Sequence, residues 1–294
     1  MDNGKRGQSL LVIVLLISVV FTLVATASYR FTTETQTSKL QEESVRTLAA
    51  ADSGIERGLQ IATSQASYNQ NFTQAFSGTN ATLDGINKTA SRIEVRKDPS
   101  TFFVTPTIDK DEQYLFFLYD YPNGTNYFRN NFNFYFGAPG NTCGASRTLP
   151  AVELTVIYGT GTASDEVVRL VIDPCRDNAD PMKIKESEMG ANQTVRVGAV
   201  CSPTCSVGGT SFSRYGDMTT LRPFYVSKNP KLLIVRVLFA PTIIGFQTLN
   251  PFEQLYAQGQ KIQVKAVSNT GVSKVVSLFK TNPQIPADLF VTTF

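Results

Sequence analysis

Histidine and tryptophan are absent from this chain of 294 residues, and only 17% of its side chains are charged. Without histidine there is no Ser-His or Cys-His triad, no imidazole ligand for a metal and no ordinary general base poised near neutral pH. Also missing are a Cys-x-x-Cys pair, a phosphate-cradling glycine motif, Gly-x-Ser-x-Gly and the metalloprotease signature. Catalysis is not thereby excluded, but its usual equipment is lacking. The sequence offers no active site, and no cofactor is expected. The net charge is +3, and the first 64 residues balance six basic side chains against six acidic ones. No polybasic patch results, so nucleic acid is not an expected partner.

Two further absences are local: no charge from Gln8 to Tyr29, and no proline from Gln8 to Gln65. The uncharged stretch follows Lys5 and Arg6 and ends at Arg30. About twenty apolar residues at ~1.5 Å rise make a helix near 30 Å long, the depth of a bilayer core. Basic residues ahead of it keep that end cytoplasmic and send the bulk of the chain outward. Three readings compete. A secretory signal would use Ala25-Thr26-Ala27 before Ser28 as its cleavage site, but the apolar run is long for one. An uncleaved anchor fits the length and the charge bias. The third reading is an anchor that is also the first half of a longer structural helix.

The proline-free continuation favours the third. Leu48, Ala51, Ile55, Leu59 and Ala62 recur at three- and four-residue steps and so line one face. Glu42 and Arg46 make a favourable i,i+4 pair on another. The expectation is one helix of about 55 residues, near 85 Å, oily in its first half and amphipathic in its second. Gly54 and Gly58 each cost a helix interior about 1 kcal/mol relative to alanine. Close packing of a sheet on the bare backbone would compensate; the alternative is a helix that ends or bends near Gly54.

Two segments carry a family resemblance. KRG followed by QSLLVIVLLISVV resembles the leader junction and apolar helix of a type IV pilin, and AAADSGIERGL resembles the Ala-Glu-Ala-Gly-(Ile/Leu)-Glu-x-(Ala/Gly)-Leu signature of PilX-type minor pilins. The latter is also similar to the GspK-type pseudopilins of type II secretion. The likeness covers about the first 60 residues. It implies a leader over residues 1–7, removed by a prepilin peptidase between Gly7 and Gln8, and a pilin helix over residues 8–65 with its membrane part at about 9–29. Leu10, Leu11, Val12, Val14, Leu15 and Phe21 would then assemble against other pilin subunits. Leu48, Gly54, Ile55, Gly58 and Leu59 would dock the head. The chain departs from the pattern at Gln8, where Phe or Met is frequent. It departs again at Val12, where major pilins usually carry a glutamate that meets a neighbouring subunit's N-terminal amine. A buried carboxylate without a partner is costly, so a subunit with no neighbour above it could do without one. The resemblance therefore implies a place at the filament tip or in initiation; the alternative is a diverged subunit inserted by hydrophobic packing alone.

Beyond residue 65 a polar Asn/Thr/Ser-rich loop leads into strand patterns of period two. SRIEVRK alternates. Two aromatic-rich runs flank Asn123-Gly124 as an expected hairpin, and VELTVIYG and EVVRLVID flank a Gly/Thr loop as another. TVRVGAV, KLLIVRVLF and TIIGF supply short strands, and KIQVKAV and SKVVSLFK form a last hairpin at Asn269-Thr270-Gly271. The terminal KTNPQIPADLFVTTF, with its prolines, is expected to cover an edge. The fold class expected is α+β: a long N-terminal α-helix packed on a mainly antiparallel β-rich head over 66–294, with a subdivision near 174–190.

Cys143, Cys175, Cys201 and Cys205 all follow the apolar segment. An even count beyond an export segment reads as disulfides rather than as a four-thiolate metal site. Four cysteines allow three connectivities; a small Cys201–Cys205 loop with a longer Cys143–Cys175 loop is the expected one. Asp109, Asp111 and Glu112 put three oxygen donors within four residues, enough to hold Ca²⁺, but the full EF-hand spacing and its glycine are missing. A solvated acidic turn is the expectation, as it is for Asp173, Asp177 and Asp180. The aromatic run 114–136 could supply a contact surface that stacks on sugars, against the plainer reading that it is core. Five Asn-x-Ser/Thr triplets carry little weight in an Asn/Thr-rich surface.

The expected function is structural: a minor pilin inserted through its helix into a type IV pilus-like filament, waiting first in the cytoplasmic membrane with its head outside. A surface ligand for the head would suit an adhesive tip. One rival is a membrane-anchored β-rich adhesin or sugar-binding protein that does not assemble; another is a secreted enzyme released after Ala27.

Overall fold

The computed structural model describes residues 5–122, 124, 126–159, 165–176, 184 and 193–285. A long N-terminal helix precedes a β-rich remainder built of largely antiparallel sheets, so the fold is α+β with a β-rich head. Helix α1 runs unbroken over Lys5–Ser64, 60 residues or about 90 Å. The chain divides into two compact units, Met1–Arg96 with Ile262–Leu278, and Lys97–Lys261 with Phe279–Phe294. These boundaries lie elsewhere than the expected subdivision near 174–190, most of which falls outside the described residues.

In the first unit the C-terminal third of α1 is covered by a four-stranded sheet of order β1-β2-β13-β14. Its strands are β1 (Tyr68–Asn71), β2 (Arg92–Arg96), β13 (Gly259–Val267) and β14 (Ser273–Thr281). Alternation places Ile93 and Val95 of β2, and Ile262, Val264 and Ala266 of β13, on the face toward the helix. The segment read as loop after residue 65 in fact holds β1 and the helical turn α2 (Phe72–Ala75). Asn71 caps that turn by accepting from the Gln74 amide at 3.1 Å, and Phe72 is fully buried beneath it.

The helix meets the sheet through small residues. Thr47, Ala50, Ala51, Gly54, Gly58, Ile61 and Ala62 form the buried stripe. Leu48, expected to dock the head, is instead 44% exposed, and Ile55 and Leu59 flank the stripe half-buried. The stripe is thus rotated by one position from the one drawn through the large apolar residues. Bulk on the helix limits how near a sheet can come, so the smallest side chains take the centre. A methyl group at Gly54 would lie 2.5 Å from Val264 Cγ1, and one at Gly58 2.5 Å from Ile262 Cγ2. The helix does not end there; the sheet occupies the space a Cβ would need.

The second unit is a β-sandwich. One sheet has the order β3-β12-β5-β10-β9: β3 (Phe102–Val104), β12 (Gly245–Thr248), β5 (Phe132–Phe136), β10 (Thr210–Asp217) and β9 (Ala199–Val207). The other has the order β4-β11-β6-β7-β8: β4 (Gln113–Phe117), β11 (Asn229–Leu238), β6 (Ala151–Gly159), β7 (Glu166–Ile172) and β8 (Gln193–Arg196), the last pairing parallel. The expected aromatic hairpin is corrected here. Its two strands, β4 and β5, lie in different sheets, joined only locally by a bridge between Tyr119 and Tyr127. Both strands carry aromatics toward one core, and these pack face to face between sheets rather than side by side within one. Phe116 lies 6.0 Å from Phe132 and stacks at 4.3 Å on Phe246. Packing across the sandwich outweighs the Asn-Gly turn cue.

Three further devices hold this unit. The Cys143–Cys175 bond has a Cα separation of 5.5 Å, and Asp173 beside it forms a 2.6 Å ion pair with Arg147, both side chains fully buried. Asp173 also accepts from the Cys175 and Ile184 amides, while Arg147 donates to the Leu149 carbonyl and lies over the Phe239 ring. The Cys201–Cys205 bond closes a bulge within β9: Val200 and Cys205 face Arg214 and Phe212, so four residues on β9 stand against one on β10. Finally, the edge of β4 is capped by two side-chain amides. Gln258 Oε1 accepts from the Phe117 amide at 2.7 Å while its Nε2 donates to the Phe117 carbonyl at 3.0 Å, and Gln284 does the same for Leu115 at 2.7 and 3.2 Å. Each glutamine stands in for a strand residue and denies the edge to another chain.

Gly54→Leu should destabilise the first unit: overpacking costs about 1–3 kcal/mol, against at most ~1 kcal/mol gained in helix propensity. Leu48→Ala should stay within about 0.5 kcal/mol of wild type. Urea unfolding of the detergent-solubilised chain checks both, and equal losses would contradict the docking geometry. Asp173→Ala, which strands a buried guanidinium, should cost roughly 3–5 kcal/mol in the same assay.

Candidate functional site: the exposed helix surface

Every described side chain in the first half of α1, from Leu11 onward, is exposed. From Leu11 to Val24 its large apolar side chains are exposed, from 48% at Val19 to 73% at Phe21. Among the described residues this is the one helix long and apolar enough to cross a membrane. Leu11, Val12, Val14, Leu15 and Phe21, expected to form the assembly surface, all project outward. Gly7 and Gln8 lie in helical backbone near its start, where side chains, that of Leu10 included, are outside the described residues.

Hydroxyls interrupt the apolar surface, yet those of Ser18, Thr22 and Thr26 are satisfied within the helix. Ser18 donates to the Leu15 carbonyl at 2.8 Å, Thr22 to Ser18 at 2.8 Å and Thr26 to Thr22 at 2.7 Å. A hydroxyl bonded to its own preceding turn presents little unmet polarity to lipid or to a neighbouring helix. Hydropathy alone does not disclose this, although the four-residue spacing of residues 18, 22 and 26 is a signal that could have done so. Tyr29 and Phe31, 74% and 73% exposed, flank Arg30 where the apolar stretch gives way to polar helix. Aromatics beside a first basic residue suit a membrane–water boundary. Further along, Glu42 and Arg46 make the anticipated exposed i,i+4 pair at 2.6 Å.

The other candidates resolve differently. Asp109, Asp111 and Glu112 are exposed, with Asp111 in the left-handed backbone region at φ 66° and 3.9 Å from Lys110. No cluster of three metal-ligating side chains occurs among the described residues. Asp173 is committed to Arg147, while Asp177 and Asp180 are outside the described residues. All four cysteines are disulfide-bonded. The aromatic run is mostly core, but Tyr119, Tyr121 and Tyr127 remain half-buried, with Phe117 and Tyr121 ring centroids 4.9 Å apart. Burial first, and the neighbouring phenols second, push the Tyr119 hydroxyl above its ordinary range.

No family model, curated protein or solved structure matches the chain.

Thr22→Ala should leave membrane insertion unchanged, since the hydroxyl is bonded within the helix. Val14→Arg should cost about 2.5–3.5 kcal/mol of insertion free energy. A translocon insertion assay reads both.

Proposed function

We propose that this protein is a structural subunit of a type IV pilus-like filament, a minor pilin acting at the tip or in initiation. The observation that carries this reading is the unbroken α1: one rod with an exposed apolar front and a C-terminal third docked on a sheet through bare glycine backbone. A signal sequence to be discarded gains nothing from structural continuity with the docked helix, and a simple tether needs no rigid coupling to the fold behind it. An exposed apolar rod that couples rigidly to a folded unit suits a subunit that changes partners. In the membrane its surface contacts lipid; in a filament it contacts the same surface on neighbours. Apolar exposure to water is avoided in both states, so transfer is not opposed by the hydrophobic effect, and close packing decides it. The back-bonded hydroxyls at Ser18, Thr22 and Thr26 let neighbouring helices approach closely along that side.

In this reading a prepilin peptidase cuts between Gly7 and Gln8, the head faces outward from a single-pass membrane protein, and assembly draws the helix into a bundle. Val12, in place of a glutamate, leaves no carboxylate to be neutralised by a subunit above, which supports a terminal place. A second reading, a membrane-anchored head that does not assemble and engages a surface ligand, is favoured by the half-buried tyrosine cluster at residues 119, 121 and 127.

Mass determination of the N-terminus of exported protein separates the readings. The pilin reading predicts a start at Gln8; a start at Ser28 indicates a secreted product, and an intact N-terminus a plain anchor. Gly7→Leu should abolish maturation, and normal processing of that variant would contradict the proposal.

A further inference from the structure

The three sheets present six edges among the described residues, and five of them are blunted. Strands β1, β3 and β8 span only four, three and four residues. The edge of β4 is capped by Gln258 and Gln284, and β9 is interrupted by its disulfide-closed bulge, with Pro203 inside it. Short length, bulges, proline and covering groups all hinder pairing with another chain. The exception is β14, nine residues without a proline. Alternate residues of an edge strand turn their N–H and C=O away from the sheet. Over residues 273–278 no backbone group outside β13, among the described residues, bonds to them.

The helix beside this edge leaves apolar surface to match. Gly54 abuts Val264 and Gly58 abuts Ile262 and Ile93, so α1 lies over β13 and β2. One flank of α1 turns toward α2, where Arg57 Nε donates to the Ala75 carbonyl at 2.8 Å. Residues 55 and 59 follow 54 and 58 by one position, about 100° around the helix, which puts them on the opposite flank, toward β14. Ile55 and Leu59 are half-buried there, as is Val276 of β14. Leu48, on the same flank, is 44% exposed, and Leu278 is 38% exposed. Alternation sets Lys274, Val276 and Leu278 on one face of β14. The helix–sheet core of the first unit thus continues past its last strand as an apolar ledge above a free edge.

We infer that β14 accepts a fifth strand: an extended segment of another protein that reads apolar-x-apolar-x-acid and pairs antiparallel. Its two apolar side chains stand opposite Leu278 and Val276, under the Leu48, Ile55 and Leu59 flank of α1. Its acid stands opposite Lys274, which is half-buried and makes no ion pair among the described residues. Main-chain bonds supply affinity in such an addition, and alternate side chains supply selectivity. Lysines on an edge deter indiscriminate pairing, and an acid in register lifts that deterrent. A second copy of β14 does not supply one. Full overlap of two β14 strands opposes Lys274 to Lys280, and a shift by one pair opposes Lys274 to Leu278. The surface exists whether or not the chain enters a filament.

Fluorescence anisotropy of a labelled peptide, Gly-Thr-Ile-Thr-Val-Thr-Glu-Gly, with the full chain in detergent tests the assignment. A Kd of about 100 μM or tighter is expected. Exchanging the peptide's glutamate for lysine should weaken binding about fivefold or more. Lys274→Glu should reverse that preference in favour of the lysine peptide, with the urea midpoint close to wild type. Should Lys274→Glu fail to fold, Leu278→Ser supplies the readout by weakening the glutamate peptide about fivefold or more. Hydrogen exchange on the complex should show the β14 amides gaining protection. Absence of binding, a peptide preference that Lys274→Glu leaves unreversed, or protection gained only outside β14 would overturn the inference. So would self-association through β14 that shuts the peptide out.

Discussion

The structure depends on backbone meeting side chains without an intervening Cβ, where Val264 and Ile262 press on Gly54 and Gly58. Two glycines near the end of a 60-residue helix cost about 2 kcal/mol in propensity together. The close approach they permit buries Ile262, Val264, Ile93 and Phe72 completely against the small-residue stripe. At ~25 cal/mol per Å² of apolar surface, burial of that extent outweighs the propensity loss. The rear of the helix is held this way, while the described side chains of its front half are exposed. In the filament reading proposed above, what happens to that front half is transmitted to a folded unit through the continuous helix.

Much of this was legible in residue order because it rests on local periodicity. The absence of charge and proline, the three- and four-step apolar recurrence, and the paired small residues at 54 and 58 are properties of the sequence itself. The stripe's phase was not. Large apolar residues at 48, 55 and 59 draw the eye, but a sheet settles on the least bulky line available, and Leu48 is left in solvent. The hydropathy of the front half was plain; the internal satisfaction of Ser18, Thr22 and Thr26 needed three-dimensional geometry to be seen.

The β-rich part divides the same way. Strands with clean alternation, such as β2, β6, β7, β11 and β13, stand where their patterns place them. Partner choice does not follow from alternation, because it depends on which faces share a core. Hence the two aromatic strands flanking Asn123-Gly124 separate into opposite sheets, drawn there by Phe116, Phe132 and Phe246. The hairpin of β9 and β10 across Gly208-Gly209 has no clean period-two signal in the sequence, because a disulfide-closed bulge at Cys201–Cys205 interrupts β9. Glu153 was equally hidden: a single acid in a strand of valines and leucines reads as an outward side chain, and only its burial shows otherwise.

The central claim is that one straight helix serves in lipid and in an assembled fibre alike. Nitroxides placed at Val20 and Glu42, through chemistry that spares the disulfides, should report a single narrow distance near 33 Å, 22 residues at ~1.5 Å each. The account requires that same distance in membrane-embedded protein and in isolated fibres. A short or broad distribution in either state, or loss of the Val20 label from the fibre, would contradict it.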